Sequence, residues 1–204
     1  MFRIGLAGGM GSGKSVVASM LAAHGARVIE ADDVARELVE SDPEVLGELV
    51  SSFGPEVLDE SGRLNRRALA LRAFESGAAL AFLNEITHPP LVRELIRRTE
   101  DTEREDPDGV LVVDAALLVQ WDILDLFDVV LVVEAPPETR VARLVAGGFE
   151  ESDARSRIAS QLPDEDMRAA ADEVIVNDGT LEELRRAVDR FWSSLPLLSK
   201  EERG

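Results

Sequence analysis

Phe2-Arg3-Ile4-Gly5-Leu6-Ala7-Gly8-Gly9-Met10-Gly11-Ser12-Gly13-Lys14-Ser15 opens the chain and sets its fold. Phe2 to Ala7 reads as a short buried strand. Val16 to His24 reads as a helix, with Val16, Val17, Met20 and Leu21 as its apolar positions. Residues 8–15 satisfy the pattern G-x-x-x-x-G-K-S/T, in the strand–loop–helix context that gives it meaning. Glycines let the backbone take positive φ and turn its N–H groups onto an anion. The helix N-terminus adds unpaired donors and partial positive charge. Lys14 brings a full charge to the β- and γ-phosphates of a nucleotide, and the Ser15 hydroxyl can ligate Mg²⁺. Gly9, Met10, Gly11, Ser12, Gly13, Lys14, Ser15 and Val16 are the expected nucleotide contacts. A plain glycine-rich turn is the competing reading. Four glycines followed by Lys-Ser weigh against it.

The composition narrows the class. The chain has 204 residues, 45% of them hydrophobic, enough for one core with small excursions. It contains no cysteine, so neither disulfides nor thiol chemistry enter. Forty acidic against 22 basic residues leave a net charge of −18, which speaks against nucleic acid as a partner. An anionic nucleotide must then meet locally concentrated cations. Lys14 and Lys200 are the only lysines, so Lys14 is not one of many interchangeable surface charges. The most apolar region, Val110 to Ala135, is broken by Asp114, Gln120, Asp122, Asp125, Asp128 and Glu134 and cannot span a membrane. No signal segment precedes the first strand, and a soluble, cytoplasmic protein is expected.

Further along, Arg27 to Glu30 reads as a second strand leading into Asp32 and Asp33, at the strand end where ligands sit in open parallel sheets. Either aspartate can serve a site or cap the next helix. Residues 34–100 read as helices and polar turns, with Pro89-Pro90 ending one helix before another begins at Leu91. Val110 to Val113 is a buried strand ending in Asp114, a carboxylate at the place that holds Mg²⁺ in phosphate-loop enzymes, with a helix cap or strand-end turn as the competing reading. Asp128 to Val133 and Asp172 to Val176 are further strands. Between them lies an arginine-rich helical hairpin, with Arg140, Arg143, Arg155 and Arg157, a Gly147-Gly148 tip and Arg168 just beyond. Arginine-bearing lids close on transferring phosphates. A solvated face with pairs such as Glu151–Arg155 and Asp153–Arg157 is the alternative. A last helix runs from Leu181 to Leu195, and the charged tail from Ser199 is expected to lack order. The fold expected is three-layer α/β/α with a five-stranded parallel sheet, a helical insertion and a helical lid. Its core comprises residues 1–33, 108–137 and 170–204, its helical substrate domain 34–107 and its lid 138–169.

The order of motifs resembles the dephospho-coenzyme A kinase family of phosphate-loop kinases, over nearly the whole chain. The opening loop with its doubled glycine matches, as do Val28-Ile29-Glu30-Ala31-Asp32 and Gly62-Arg63-Leu64-Asn65-Arg66. So do Leu83-Asn84-Glu85-Ile86-Thr87-His88-Pro89, Arg157-Ile158-Ala159-Ser160-Gln161 and the stretch from Ala171 to Gly179. The resemblance implies ATP-dependent phosphorylation of the ribose 3′-hydroxyl of dephospho-coenzyme A, the last step of coenzyme A synthesis, with ATP and Mg²⁺. It implies Asp32 as general base, with Lys14 and the lid arginine Arg143 as catalytic cations; Arg140, one turn before Arg143, is the candidate substitute for a second lid arginine that this chain lacks. It puts Ser15 and Asp114 on the metal, and Asn177 and Gly179 beside the adenine. It also puts Asp32, Arg66, His88, Asp114, Leu117, Arg157 and Gln161 on the acceptor. A monomer is favoured. The chain departs from the family where Glu30 stands in place of the usual aspartate, where Ala116, Val119 and Gln120 replace proline, phenylalanine and glutamate, and where Gly147 replaces a second lid arginine. Another small-molecule or nucleotide kinase, or a nucleotide-binding protein with impaired turnover, stays open as an alternative.

Overall fold

The β-branched runs become the strands of one sheet, and the loop of residues 8–15 leaves its middle strand. The computed structural model describes residues 1–121 and 123–196. The chain divides into two compact units. One takes Met1–Ile29 and the described residues from Glu103 onward, and the other is Glu30–Thr102. The helical unit thus begins and ends a few residues before the expected 34–107, and the hairpin helices belong to the first unit. The charged tail from Ser199 lies outside the described residues.

In the first unit, β1 (Phe2–Ala7), β2 (Arg27–Glu30), β3 (Val110–Asp114), β4 (Val129–Glu134) and β5 (Glu173–Val176) form a five-stranded parallel sheet in the order β2-β3-β1-β4-β5. Ile4 stands between Val112 and Val129 in register, so β1 is central. Helices α1 (Lys14–Ala23) and α9 (Leu181–Ser194) cover one face. Val17 and Leu21, with Leu184, Val188 and Phe191, bury against Ile4, Leu6, Val112, Leu131 and Ile175. Alternation along the strands sends Leu111, Val113, Val130 and Val132, also buried, to the opposite face. Thr180 starts α9 with a reciprocal cap: its hydroxyl accepts from the Glu183 N–H, and the Glu183 carboxylate accepts from the Thr180 N–H. The hairpin helices are α6 (Pro137–Ala146) and α7 (Glu151–Ala159). Arg155 ties them through Glu138 at 2.9 Å and pairs with Glu151 as expected. Arg157 lies over the Phe149 ring, 5.2 Å from its centroid, rather than pairing with Asp153. The short α8 (Asp164–Ala169) follows.

The second unit holds α2 (Ala31–Ser41), α3 (Pro43–Phe53), α4 (Arg66–Ala73) and most of α5 (Gly77–Glu105). Val45, Leu49, Val57, Leu69 and Ile86 form its core. Asp42 caps α3 by accepting from the N–H groups of Glu44 and Val45. Two expectations are corrected here. Helix α2 starts at Ala31, after Glu30, so Asp32 and Asp33 lie within its first turn and cap nothing by side chain. There they face the positive end of the helix dipole. Helix α5 runs through Pro89 and Pro90 without a break. The prolines cost two backbone donors. Burial of Ile86 before them and of Leu91, Leu95 and Thr99 after them outweighs that loss.

Candidate active site

The loop after β1 owes its shape to left-handed backbone at Gly11 (φ 79°) and Gly13 (φ 95°), conformations that side chains disfavour. Gly13 is the residue preceding α1 and lends it no side-chain cap; the Val16 N–H already donates to the Gly13 carbonyl at 3.0 Å, so the N–H groups of Lys14 and Ser15 are the ones left to a ligand. The carbonyls of residues 10 to 12 are turned the other way. Arg140 Nε donates to the Met10 carbonyl at 2.8 Å. Arg143 Nη1 donates to the carbonyls of Gly11 and Ser12, each at 3.2 Å. Asn177 Nδ2 donates to the Ser12 carbonyl at 2.7 Å. The Met10 N–H is spent on Gln161 and the Ser12 N–H on the Gly9 carbonyl at 3.0 Å, which leaves the N–H groups at the Gly13–Lys14–Ser15 end of the loop as the donors suited to a phosphate. The Ser12 hydroxyl is buried without a hydrogen-bond partner among the described residues.

Lys14, the first residue of α1, forms an ion pair with Asp114 at the end of β3. Asp114 is 6% exposed, and its charge is offset there by the ammonium. Ser15 is exposed one residue further along the helix. A hydroxyl and a carboxylate are hard oxygen donors, the set that Mg²⁺ takes.

The arginines expected at the phosphates lie on the carbonyl side of the loop. Arg140 is buried and spends its guanidinium on Met10, Gln161 (2.6 Å) and Asp164 (2.9 Å). Arg143 also donates to the Asn177 carbonyl at 3.0 Å. Asn177, expected beside an adenine, is buried and spent on Ser12 and Arg143. Gly179 is exposed, and a side chain there would meet Glu183 of the α9 cap. Gln161 accepts from the Met10 N–H at 2.9 Å. Gly9 to Ser15, Asp114, Arg140, Arg143, Gln161 and Asn177 thus form one connected group. Val16 and Arg157 are exposed and Leu117 is half-buried, outside these bonds. Asp164 escaped the sequence reading because Pro163-Asp164-Glu165-Asp166 looks like any acidic helix start.

In the helical unit, Asp32 is exposed at the start of α2 and lines a cavity of about 400 Å³ with Leu38, Leu64, Arg66, Leu69 and Leu83. Arg66 Nη2 donates to Glu40 at 2.7 Å, and Arg36 Nη1 to Asp33 at 2.7 Å. Thr87 also lines this cavity, while the half-buried His88 beside it does not. Burial lowers the His88 pKa, which favours the neutral imidazole.

The family model described as dephospho-CoA kinase matches residues 2–183. A dephospho-CoA kinase of Corynebacterium efficiens is 48% identical over 196 residues, 96% of this chain and 98% of that one. A crystal structure from Thermus thermophilus shares 33% identity and a TM-score of 0.78, covering 95% of this chain and 97% of that one. The dephospho-CoA kinase structure from Campylobacter jejuni, 19% identical with a TM-score of 0.70, shares the fold over 94% of this chain and 95% of its own. The chain belongs to the dephospho-CoA kinase family.

Proposed function

We propose that the protein transfers the γ-phosphoryl group of ATP to the ribose 3′-hydroxyl of dephospho-coenzyme A, giving coenzyme A and ADP as the last step of coenzyme A synthesis in the cytoplasm. The carrying observation is the loop of residues 8–15, whose Met10, Gly11 and Ser12 carbonyls are held by Arg140, Arg143 and Asn177 while Lys14 at its end pairs with Asp114, which supports its reading as a phosphate site. The acceptor oxygen attacks the γ-phosphorus, the bond to the β,γ-bridging oxygen breaks, and ADP leaves. Asp32 orients the hydroxyl and takes its proton as the new bond forms. Lys14 exchanges Asp114 for the β- and γ-phosphates, where its charge meets the charge that develops in transfer. Ser15 and Asp114 are the residues to hold Mg²⁺, which when bound neutralises phosphate charge. Arg143 adds its charge from behind the loop. Arg66 offers a cation to the acceptor's diphosphate, and His88 meets the acceptor as a neutral imidazole.

Coupled ADP release tests this reading. Dephospho-coenzyme A with Mg²⁺ and ATP should release ADP far faster than nucleoside monophosphates or shikimate do. The absence of ADP release dependent on dephospho-coenzyme A would overturn the assignment.

A further inference from the structure

Gly9 has a negative φ, which any residue adopts, and it stands at a variable position of the loop pattern. Space is what requires glycine there. A Cβ on Gly9 would stand 2.7 Å from Arg140 Cζ and closer still to one terminal nitrogen. That guanidinium cannot swing aside cheaply. Arg140 is 2% exposed, and its three bonds run to three different groups. Asp164 offsets the burial of its charge at 2.9 Å. Gln161 Oε1 accepts both from Arg140 Nη2 and from the Met10 N–H. Both backbone polar groups of Met10 are therefore held, one by Arg140 and the other by Gln161.

We propose that Arg140, with Gln161 and Asp164, is a positioning residue for the phosphoryl donor, and that Gly9 is glycine to admit its guanidinium. A loop with four glycines in six residues carries high conformational entropy when free. Clamping Met10 removes that freedom before the nucleotide arrives and keeps the Met10 carbonyl off the phosphate side. The clamp also joins the loop to the hairpin helix α6 and to α8. This inference rests on the reading of residues 8–15 as the ATP site.

The test is a double-mutant cycle on Gly9 and Arg140, read as ATP affinity by calorimetry without acceptor and as acceptor KM in the ADP assay. Arg140→Ala should weaken ATP about tenfold, the scale of one lost charge-assisted bond. Gly9→Ala should weaken it at least as much, because the new methyl displaces the guanidinium. The double variant should bind no worse than Arg140→Ala alone, since the methyl then fills vacated space. The acceptor KM should not move in any of them. Gln161→Leu, which leaves Arg140 on Met10 and Asp164, should weaken ATP several-fold without shifting the melting temperature. Additive losses in the double variant, or unchanged ATP affinity in Arg140→Ala, would overturn the inference. If Arg140→Ala does not fold, unchanged affinity in both Gly9→Ala and Gln161→Leu overturns it, and weakened affinity in both supports it. Wild-type protein that fails to bind ATP would remove the phosphate-site reading and this inference together. Wild-type binding with an additive cycle removes this inference alone.

Discussion

Asp32 shows how much depends on one carboxylate. It is exposed and sits in the first turn of α2. Asp32→Asn keeps the shape and removes the proton acceptor. It should cut kcat by about 10²–10⁴-fold, the usual range for a lost general base, while leaving the KM for ATP nearly unchanged. An unaltered kcat in steady-state assays would remove Asp32 from the proton transfer. Lys14 carries a second prediction, in stability. Its ammonium neutralises the buried Asp114. Lys14→Met should abolish transfer and destabilise the fold by about 3–5 kcal/mol, because an unpaired carboxylate is left in the interior. Adding Asp114→Leu should return much of that stability, read by urea unfolding, without returning activity. Lys14, Asp32 and Asp114 could be singled out as candidates because strand ends and the phosphate loop are local patterns, and the structure brings Lys14 and Asp114 into an ion pair. The placement of Arg140 and Asn177 behind the loop was not legible in this way. Their partners are Met10, Gln161, Asp164 and Ser12, brought together only by the fold, and an arginine in an amphipathic helix looks the same whether it faces water or a carbonyl.

At the scale of elements, α5 gives the plainest conflict between local and tertiary terms. Pro89 and Pro90 argued for a break, yet the helix runs from Gly77 to Glu105. Propensity was read correctly and was outweighed by burial of the residues on either side. Pro89→Ala/Pro90→Ala should therefore stabilise the chain by about 1–2 kcal/mol, the regained helix hydrogen bonds being partly offset by a freer unfolded state. A lower melting temperature would mean that the prolines set a helix direction the unit needs. The loop before α4 offers a pH test. The Asp59 carboxylate accepts from Ser61 and Arg63, chiefly the Ser61 hydroxyl, and its pKa falls to about 2. Glu94 is likewise lowered to about 2, first by its bond from Arg97 and then by Arg98. Both folded-state values lie below the unfolded ones. Their contribution is complete above the ordinary carboxylate range and is lost as pH falls from about 4.5 toward 2. Acid unfolding should be steep in that window, and Asp59→Ala should flatten it. A slope unchanged by the substitution would put the acid sensitivity elsewhere. The strands needed no such correction, because β-branched runs such as Val110 to Val113 and Val129 to Val133 declare themselves locally.

For the whole molecule, the net charge of −18 sets a background of self-repulsion. The Debye length shrinks from about 10 Å at 0.1 M salt to about 3 Å at 1 M, so added KCl should raise the melting temperature by several degrees. A fall would show that exposed ion pairs such as Arg155–Glu138 outweigh the repulsion. The organisation of the chain was legible to the extent that turns and apolar runs mark it, so the helical insertion between β2 and β3 was expected. Its limits, Glu30 and Thr102, were not, since they depend on which side chains pack together. The insertion also has a consequence for synthesis. Strand β1 leaves the ribosome ahead of the other strands, but its register partner for Phe2 is Val110, 108 residues later. At about 5–20 residues per second, β1 waits roughly 5–20 s for its first neighbour. The helical unit is translated within that wait and has its own core, so it can fold while the apolar strand beside the phosphate loop is still unpaired. Nascent-chain holdases would therefore have β1 open to them until β3 emerges.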